Sequence, residues 1–201
     1  MSRRDDFLVG PKEKAQKAIK SGNVEEALLH LDEACDMYRS MHDSLIVSSS
    51  LMQGLLAEAH GEEWLEEYNR KRVLETYRPI FGRLKNMAPE QIVQYLSDRA
   101  KRNYSEFHVE EDGEKFALVS TGCGNGGMLI KDGIARKQNA VTKKAYPWSF
   151  NRIGFPYYCV HAYFYNELFK ELGVKVEVQW GRQYDDDGNK INEPCKYVVY
   201  K

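Results

Sequence analysis

This chain lacks any excess of charge. Its 29 Lys and Arg against 30 Asp and Glu leave a formal net charge of −1, so nothing global draws it to nucleic acid. It also lacks long apolar runs. No stretch approaches the roughly 20 apolar residues of a membrane helix, and Met1-Ser2-Arg3-Arg4-Asp5-Asp6 leads into nothing like a secretion signal. Four cysteines are too few for a disulfide scaffold, and none stands in the Cys-x2-Cys spacing that announces a zinc finger. The expected setting is therefore soluble, reducing and cytoplasmic, with no membrane or nucleic-acid partner and with free thiols available for chemistry.

Apolar residues make up 42% of the 201 positions, with 13 Tyr, 8 Phe and 3 Trp, enough for a sizeable core. The first half reads as helices. Gly10-Pro11 opens one that runs to Lys20, and Ser21-Gly22-Asn23 is a turn. From Val24 an apolar stripe recurs at Ala27, Leu28, Leu31, Ala34, Cys35, Tyr38 and Met41. Asp43 reads as the cap of a separate helix carrying Ile46, Val47, Leu51, Leu55 and Leu56. Further helices start at Gly61 and at Pro89, and Pro79 is expected to break or kink the first of these.

The second half changes period. Val109 to Ser120 reads as a hairpin about Asp112-Gly113. Met128-Leu129-Ile130 reads as a short strand, Tyr157 to Leu172 as a helix ending at Gly173, and Val174, Val176, Val178 and Trp180 as a half-buried strand. Asp185-Asp186-Asp187-Gly188-Asn189 turns the chain into a last strand, Cys195 to Tyr200. The fold class expected is α+β: an N-terminal helical bundle (1–107) packed on a C-terminal, mostly antiparallel sheet with one long helix (108–201, ββαββ), together one compact unit.

The residues able to carry chemistry are Cys123, Cys159, His161 and Cys195. Cys123 sits in Gly122-Cys123-Gly124-Asn125-Gly126-Gly127, Cys159 and His161 follow Pro156-Tyr157-Tyr158, and Cys195 follows Pro194. Three readings compete. As a metal site, Cys123, Cys159 and Cys195 would hold Zn2+ with His161 as fourth ligand or as a supporting partner. As a nucleophile, Cys159 would be activated at a helix N-terminus with His161 as base. As core, the thiols would simply be buried, as free cysteines commonly are. Cys159 and His161 share a face only in extended chain; in a helix they diverge by about 200°. The glycine run lacks the Gly-Lys-Ser/Thr ending of a phosphate loop.

Between Lys131 and Arg152 the cations Lys131, Arg136, Lys137, Lys143, Lys144 and Arg152 face a single acid, Asp132, and the later ones interleave with Tyr146, Trp148 and Phe150. Lys143, Lys144, Trp148 and Arg152 are the candidates for receiving an anionic group beside an aromatic wall. Asp185-x-Asp187-x-Asn189 mimics the opening of a calcium loop, but Lys190 stands where that loop needs Gly and Lys196 where it needs Glu, so a turn suffices.

Ala15 to Tyr38 looks like one hairpin of a tetratricopeptide repeat, without a second copy at the required interval of about 34 residues. The C-terminal part, about 108–201, resembles the L-2-amino-thiazoline-4-carboxylic acid hydrolase-like proteins and, more remotely, the vinyl-4-reductase type of small-ligand-binding domain. The resemblance rests on Phe155-Pro156-Tyr157-Tyr158-Cys159-Val160-His161, the helix with Glu167 before Gly173, the strand pair, Pro194-Cys195-Lys196-Tyr197 and Cys123 in Cys-Gly-Asn-Gly-Gly. It implies hydrolysis of C–N or C–S bonds in a small, heterocyclic acid, or binding of a small molecule. Cys159, His161 and Cys195 are the matching positions. The leading expectation is a small zinc-dependent hydrolase of an anionic substrate. A non-enzymatic ligand-binding or sensor domain and a Cys159-nucleophile enzyme are the alternatives, and a homodimer is compatible with each.

Overall fold

The structure is a computed structural model that describes residues 9–185, 187–191 and 193–201. The chain forms two compact units, Met1–Leu45 and Ile46–Lys201.

In the first unit, α1 (Pro11–Lys20) places Pro11 at the first helical position, where its missing N–H costs nothing. Lys17 and Lys20 fall in its last turn, against the negative end of the dipole. Gly22 takes φ 76° in the following turn, a conformation only glycine adopts without strain. The Asn23 side chain then accepts from the Glu26 amide, 3.1 Å, and caps α2. Ala15, Ala18 and Ala27 are the buried apolar residues among those described here, and His42 is buried as well.

Helix α2 is continuous from Val24 to His60, 37 residues, or about 55 Å. This corrects the expectation of two helices with Asp43 as cap. No glycine or proline interrupts the run from Val24 to Gln53, and the Asp43 carboxylate instead meets the His42 ring at 2.9 Å. The helix stops at Gly61, φ 91°.

The second unit continues with α3 (Glu62–Phe81), a 3-10 turn at Gly82–Asn86 and α4 (Pro89–Arg102). Pro79 lies in the last turn of α3, where little helix remains to be broken. Strands β1 (Glu106–Glu111), β2 (Lys115–Gly122), β3 (Val176–Gln179) and β4 (Cys195–Tyr200) form one antiparallel sheet in the order β1-β2-β4-β3. The expected hairpin holds: Asp112 accepts from the Glu114 and Lys115 amides at 2.8 and 2.9 Å. Register puts Phe116 opposite Val199, Leu118 opposite Tyr197, and Ser120 opposite Cys195. Val176 and Val178 join the same face from the other edge. That face receives α4 and α7 (His161–Leu172). Ion pairs from α3 to α7, Arg70–Glu167 and Arg78–Glu171, flank a core of Phe81, Phe164, Leu168 and Phe169. Burying each of these large side chains contributes about 1.5–3 kcal/mol.

Between β2 and α7 lie α5 (Gly126–Lys131) and α6 (Ile134–Lys137). The strand expected at Met128-Leu129-Ile130 is therefore helix. The Met128 amide donates to Cys123 O at 3.0 Å and that of Leu129 to Asn125 O at 3.2 Å, and these bonds wind the chain at once. A three-residue apolar run cannot by itself distinguish strand from buried helix. Near the C-terminus, Asp185 accepts from the Asp187 and Asn189 amides at 3.0 and 2.8 Å, which makes this a side-chain-capped turn. Asp186 of the expected turn lies outside the described residues.

Candidate functional site

The glycine run after β2 is shaped by the thiols around it. A Cβ on Gly126 would lie 2.2 Å from Cys159 Sγ, and one on Gly127 would lie 2.7 Å from Cys123 Cβ. Both distances are within contact, so the two positions require glycine. Cys123 leads out of β2, and its amide donates to Gln183 Oε1 at 2.8 Å. Gln183 is buried and donates in turn to Ser120 O at 2.7 Å and Ser120 Oγ at 3.1 Å. One glutamine thus pins the Cys123 turn to the end of β2. Sequence reading missed Gln183; a lone polar residue in a loop carries no periodic signal.

Cys159 lies in a 3-10 turn, Tyr157–Val160, that runs directly into α7. Burial pushes its thiol well above the usual range, and the charges of Cys123 and Cys195 push the same way, while a hydrogen bond from Trp180 opposes them. Cys195 opens β4. Its sulfur accepts from Gly181 N–H at 3.3 Å and donates to Gly181 O at 3.2 Å. Burial raises this thiol to about 12, the Gly181 amide lowers it and Cys123 raises it. The three thiols share one electrostatic neighbourhood, and at neutral pH Cys159 and Cys195 are protonated.

His161 occupies the first position of α7. Its Nδ1 stands 2.7 Å from the Tyr158 carbonyl, and its Nε2 stands 3.0 Å from Arg72 Nη2. A carbonyl only accepts and a guanidinium only donates, so Nδ1 carries the proton and Nε2 accepts. Burial lowers this histidine to about 3, the Arg72 and Arg99 charges lower it too, and the Tyr158 carbonyl opposes them. It is neutral at physiological pH, with both nitrogens committed. As a fourth zinc ligand or as a base for Cys159, His161 would first have to give up the Arg72 bond. Among the described residues no three His, Cys, Asp or Glu side chains are grouped to hold a metal ion.

The proposed anion receptors separate. Lys143 and Lys144 are exposed, and Lys143 contributes a backbone amide, not its ammonium, to Glu62 at 2.8 Å. Glu62 is buried and also accepts from Tyr157 at 2.7 Å and Tyr146 at 2.9 Å. Trp148 is 1% exposed and stacks on Tyr146 with centroids 5.0 Å apart; it is core rather than a binding wall. Arg152 is placed differently from these. It lies over the Trp180 ring at 5.0 Å and lines a cleft of about 40 Å³. The same cleft is lined by Arg136, Arg182, Ile153 and Gly154. Gly154 takes φ 74°, and a Cβ there would sit 3.6 Å from Arg136 Nη2, so the turn brings backbone up against the guanidinium. No carboxylate lines the cleft among the described residues.

Arg99 makes a different kind of site. Its guanidinium lies over Tyr77, Phe81 and Tyr165 at 5.0 to 5.4 Å, and Nη2 donates to Tyr165 at 3.1 Å. These contacts account for a half-buried cation with no acid paired to it among the described residues.

Searches of protein families, curated proteins and solved structures find no match to this chain. No helix among the described residues is long and apolar enough to cross a membrane.

Proposed function

We propose that the second unit binds a small anionic organic molecule at the Arg136, Arg152 and Arg182 cleft, with Trp180 bordering both the bound anion and the Cys159 thiol. The observation that carries this reading is that three arginines line one cleft whose described lining includes no carboxylate, while Glu193 stands 3.5 Å from Arg152 and Asp185 feels the Arg182 charge outside it. Guanidinium forks match carboxylate and phosphate oxygens in bidentate geometry. At about 40 Å³ the cleft takes one charged group, and the remainder of the ligand extends along Ile153 and Trp180. The test is calorimetric titration with inorganic phosphate and with a series of small heterocyclic carboxylates. Binding that Arg152→Ala and Arg182→Ala each weaken about tenfold or more supports the reading, at roughly 1.5–3 kcal/mol per charged hydrogen bond. Unchanged affinity in both variants would overturn it.

Zinc-dependent hydrolysis of the bound molecule is a second proposal. What favours it is that Cys123, Cys159 and Cys195 lie close enough to influence one another's ionisation; holding the ion would require the protonated thiols to ionise. The thiols would have to close around the ion. Metal analysis of protein purified without added zinc decides between the two: one zinc per chain supports hydrolysis, whereas trace metal with three titratable thiols leaves a binding site alone.

A further inference from the structure

Asn125 is the one asparagine of the chain that a glycine follows, and its backbone is set at φ −103°, ψ −106°. Packing requires the glycine, since a Cβ on Gly126 would meet Cys159 Sγ. The turn requires the ψ. Cys123 O accepts from Met128 N–H at 3.0 Å, and Asn125 O accepts from Leu129 N–H at 3.2 Å. The second bond fixes the Asn125 carbonyl and with it ψ. This conformation lies outside the α and β regions.

The angle has a chemical consequence. At a tetrahedral Cα, Cβ stands about 120° from the backbone nitrogen around the Cα–C bond, so in an L-residue a ψ of about −120° eclipses Cβ with the nitrogen of the next residue. At ψ −106° the Gly126 nitrogen is close to that arrangement, and rotation about Cα–Cβ alone carries the carboxamide carbon to it. A ψ in either regular region turns the same nitrogen away from Cβ. Glycine adds no side chain to shield the nitrogen. The Gly126 N–H donates to no described group, so no hydrogen bond is lost when its proton leaves.

We propose that Asn125 is a site of spontaneous covalent modification, at which the Gly126 nitrogen closes on the Asn125 side chain. The Gly126 amide gives up its proton and its nitrogen attacks Cγ. An N–C bond forms, the Cγ–Nδ2 bond breaks, and ammonia leaves carrying the proton. The product is a cyclic succinimide. Water, the one co-reactant, then adds to either imide carbonyl and opens the ring, giving aspartate at 125 or an isoaspartyl link through the side chain. Either product puts a carboxylate two residues from Cys123, beside the glycine that packs on Cys159. The isoaspartyl link also lengthens the backbone of the turn by one carbon.

The test follows the full chain at mildly alkaline pH by peptide mass spectrometry, beside the same chain kept unfolded in guanidinium chloride. An unfolded chain visits this ψ in passing, whereas the fold holds it. The expected result is a gain of one mass unit confined to the Asn125 peptide, with isoaspartate detected by enzymatic methylation, at a folded-to-unfolded rate ratio of one or more. Asn125→Gln, whose side chain would need a larger ring, is expected to stay unchanged over the same period. Gly126→Ala combined with Cys159→Ala gives the new methyl no sulfur to meet and is expected to convert about tenfold more slowly, because the methyl shields the attacking nitrogen. Slower conversion in the folded chain than in the unfolded one overturns the proposal, since the fold would then protect Asn125. So does aspartate formed without isoaspartate at an unchanged rate in the double variant, which would mean direct attack by water.

Discussion

The thiol neighbourhood and the arginine cleft both border Trp180, which bonds to Cys159 and lies under Arg152, and they treat their polar groups in opposite ways. On the thiol side Cys195 is bonded to Gly181, His161 to Tyr158 and Arg72, and Gln183 to Ser120 and the Cys123 amide. Burial holds Cys159 and Cys195 as thiols and His161 as neutral imidazole. On the cleft side Arg152 is 44% exposed at its side chain, meets Glu193 only at 3.5 Å and faces open space. The residue types best suited to chemistry therefore sit where the surroundings suppress it. The binding capacity belongs to side chains that read from sequence as a solvated basic loop. Environment, more than residue type, separates scaffold from site.

The largest effect that would break this contrast is a pH response of His161. Its pKa is near 3 in the folded chain and about 6.5 when exposed. A histidine depressed by folding is neutral in the native state while the unfolded chain takes up a proton. Its contribution is complete above about pH 6.5 and is lost progressively as pH falls toward 3, by several kcal/mol in total. Urea unfolding of wild type and His161→Gln from pH 8 to pH 4 measures the difference directly, with the carboxylates common to both. Wild type is expected to lose stability more steeply below pH 6. Parallel curves would mean that His161 is solvated, which would return it to the pool of candidate bases.

Next in size is the fit of the glycine turn around the thiols. Gly126→Ala places a methyl carbon 2.2 Å from Cys159 Sγ and is expected to cost about 2 kcal/mol, in the range for overpacking. Cys159→Ala removes that sulfur and leaves Cys159 Cβ at 3.9 Å from the new methyl, an ordinary contact. The double variant is therefore expected to recover most of the cost of Gly126→Ala, giving a coupling of 1 kcal/mol or more in a double-mutant cycle. Additive costs would show that the turn tightens for another reason and that Cys159 is not what Gly126 accommodates.

Much of the scaffold was legible because local rules and tertiary packing agree there. Gly22 and Asn23 mark the first turn, Asp112 the hairpin, Gly173 with φ 68° the end of α7, and alternating valines the edge strand. Where the rules pulled apart, sequence reading followed the wrong one. Asp43 has the chemistry of a cap but sits in an unbroken helical run, and Met128 to Ile130 is too short a run to show a period. The site was legible only in part. The three cysteines do fall at element boundaries and sense one another. The partner that fixes His161, Arg72, lies 89 residues away, and nothing along the chain links them. Trp148 sits among cations in sequence and in the core in space, because its loop folds back over Tyr157 and Phe155.

The smallest expected effect is the most discriminating for the cleft. Arg152→Ala removes a stack on Trp180 at 5.0 Å and a 3.5 Å approach to Glu193. Exposed cation–π contacts contribute about 0.5–1 kcal/mol, and exposed ion pairs about 0–1 kcal/mol. Side-chain freedom regained on truncation offsets part of this. Loss of stability is therefore expected to stay at or below about 1 kcal/mol by urea unfolding, while anion affinity falls about tenfold. Scaffold residues behave in the reverse way, since removing a group with buried partners costs stability first. A loss above about 2 kcal/mol would place Arg152 with His161 and Gln183 in the scaffold, and the division between the two regions would disappear.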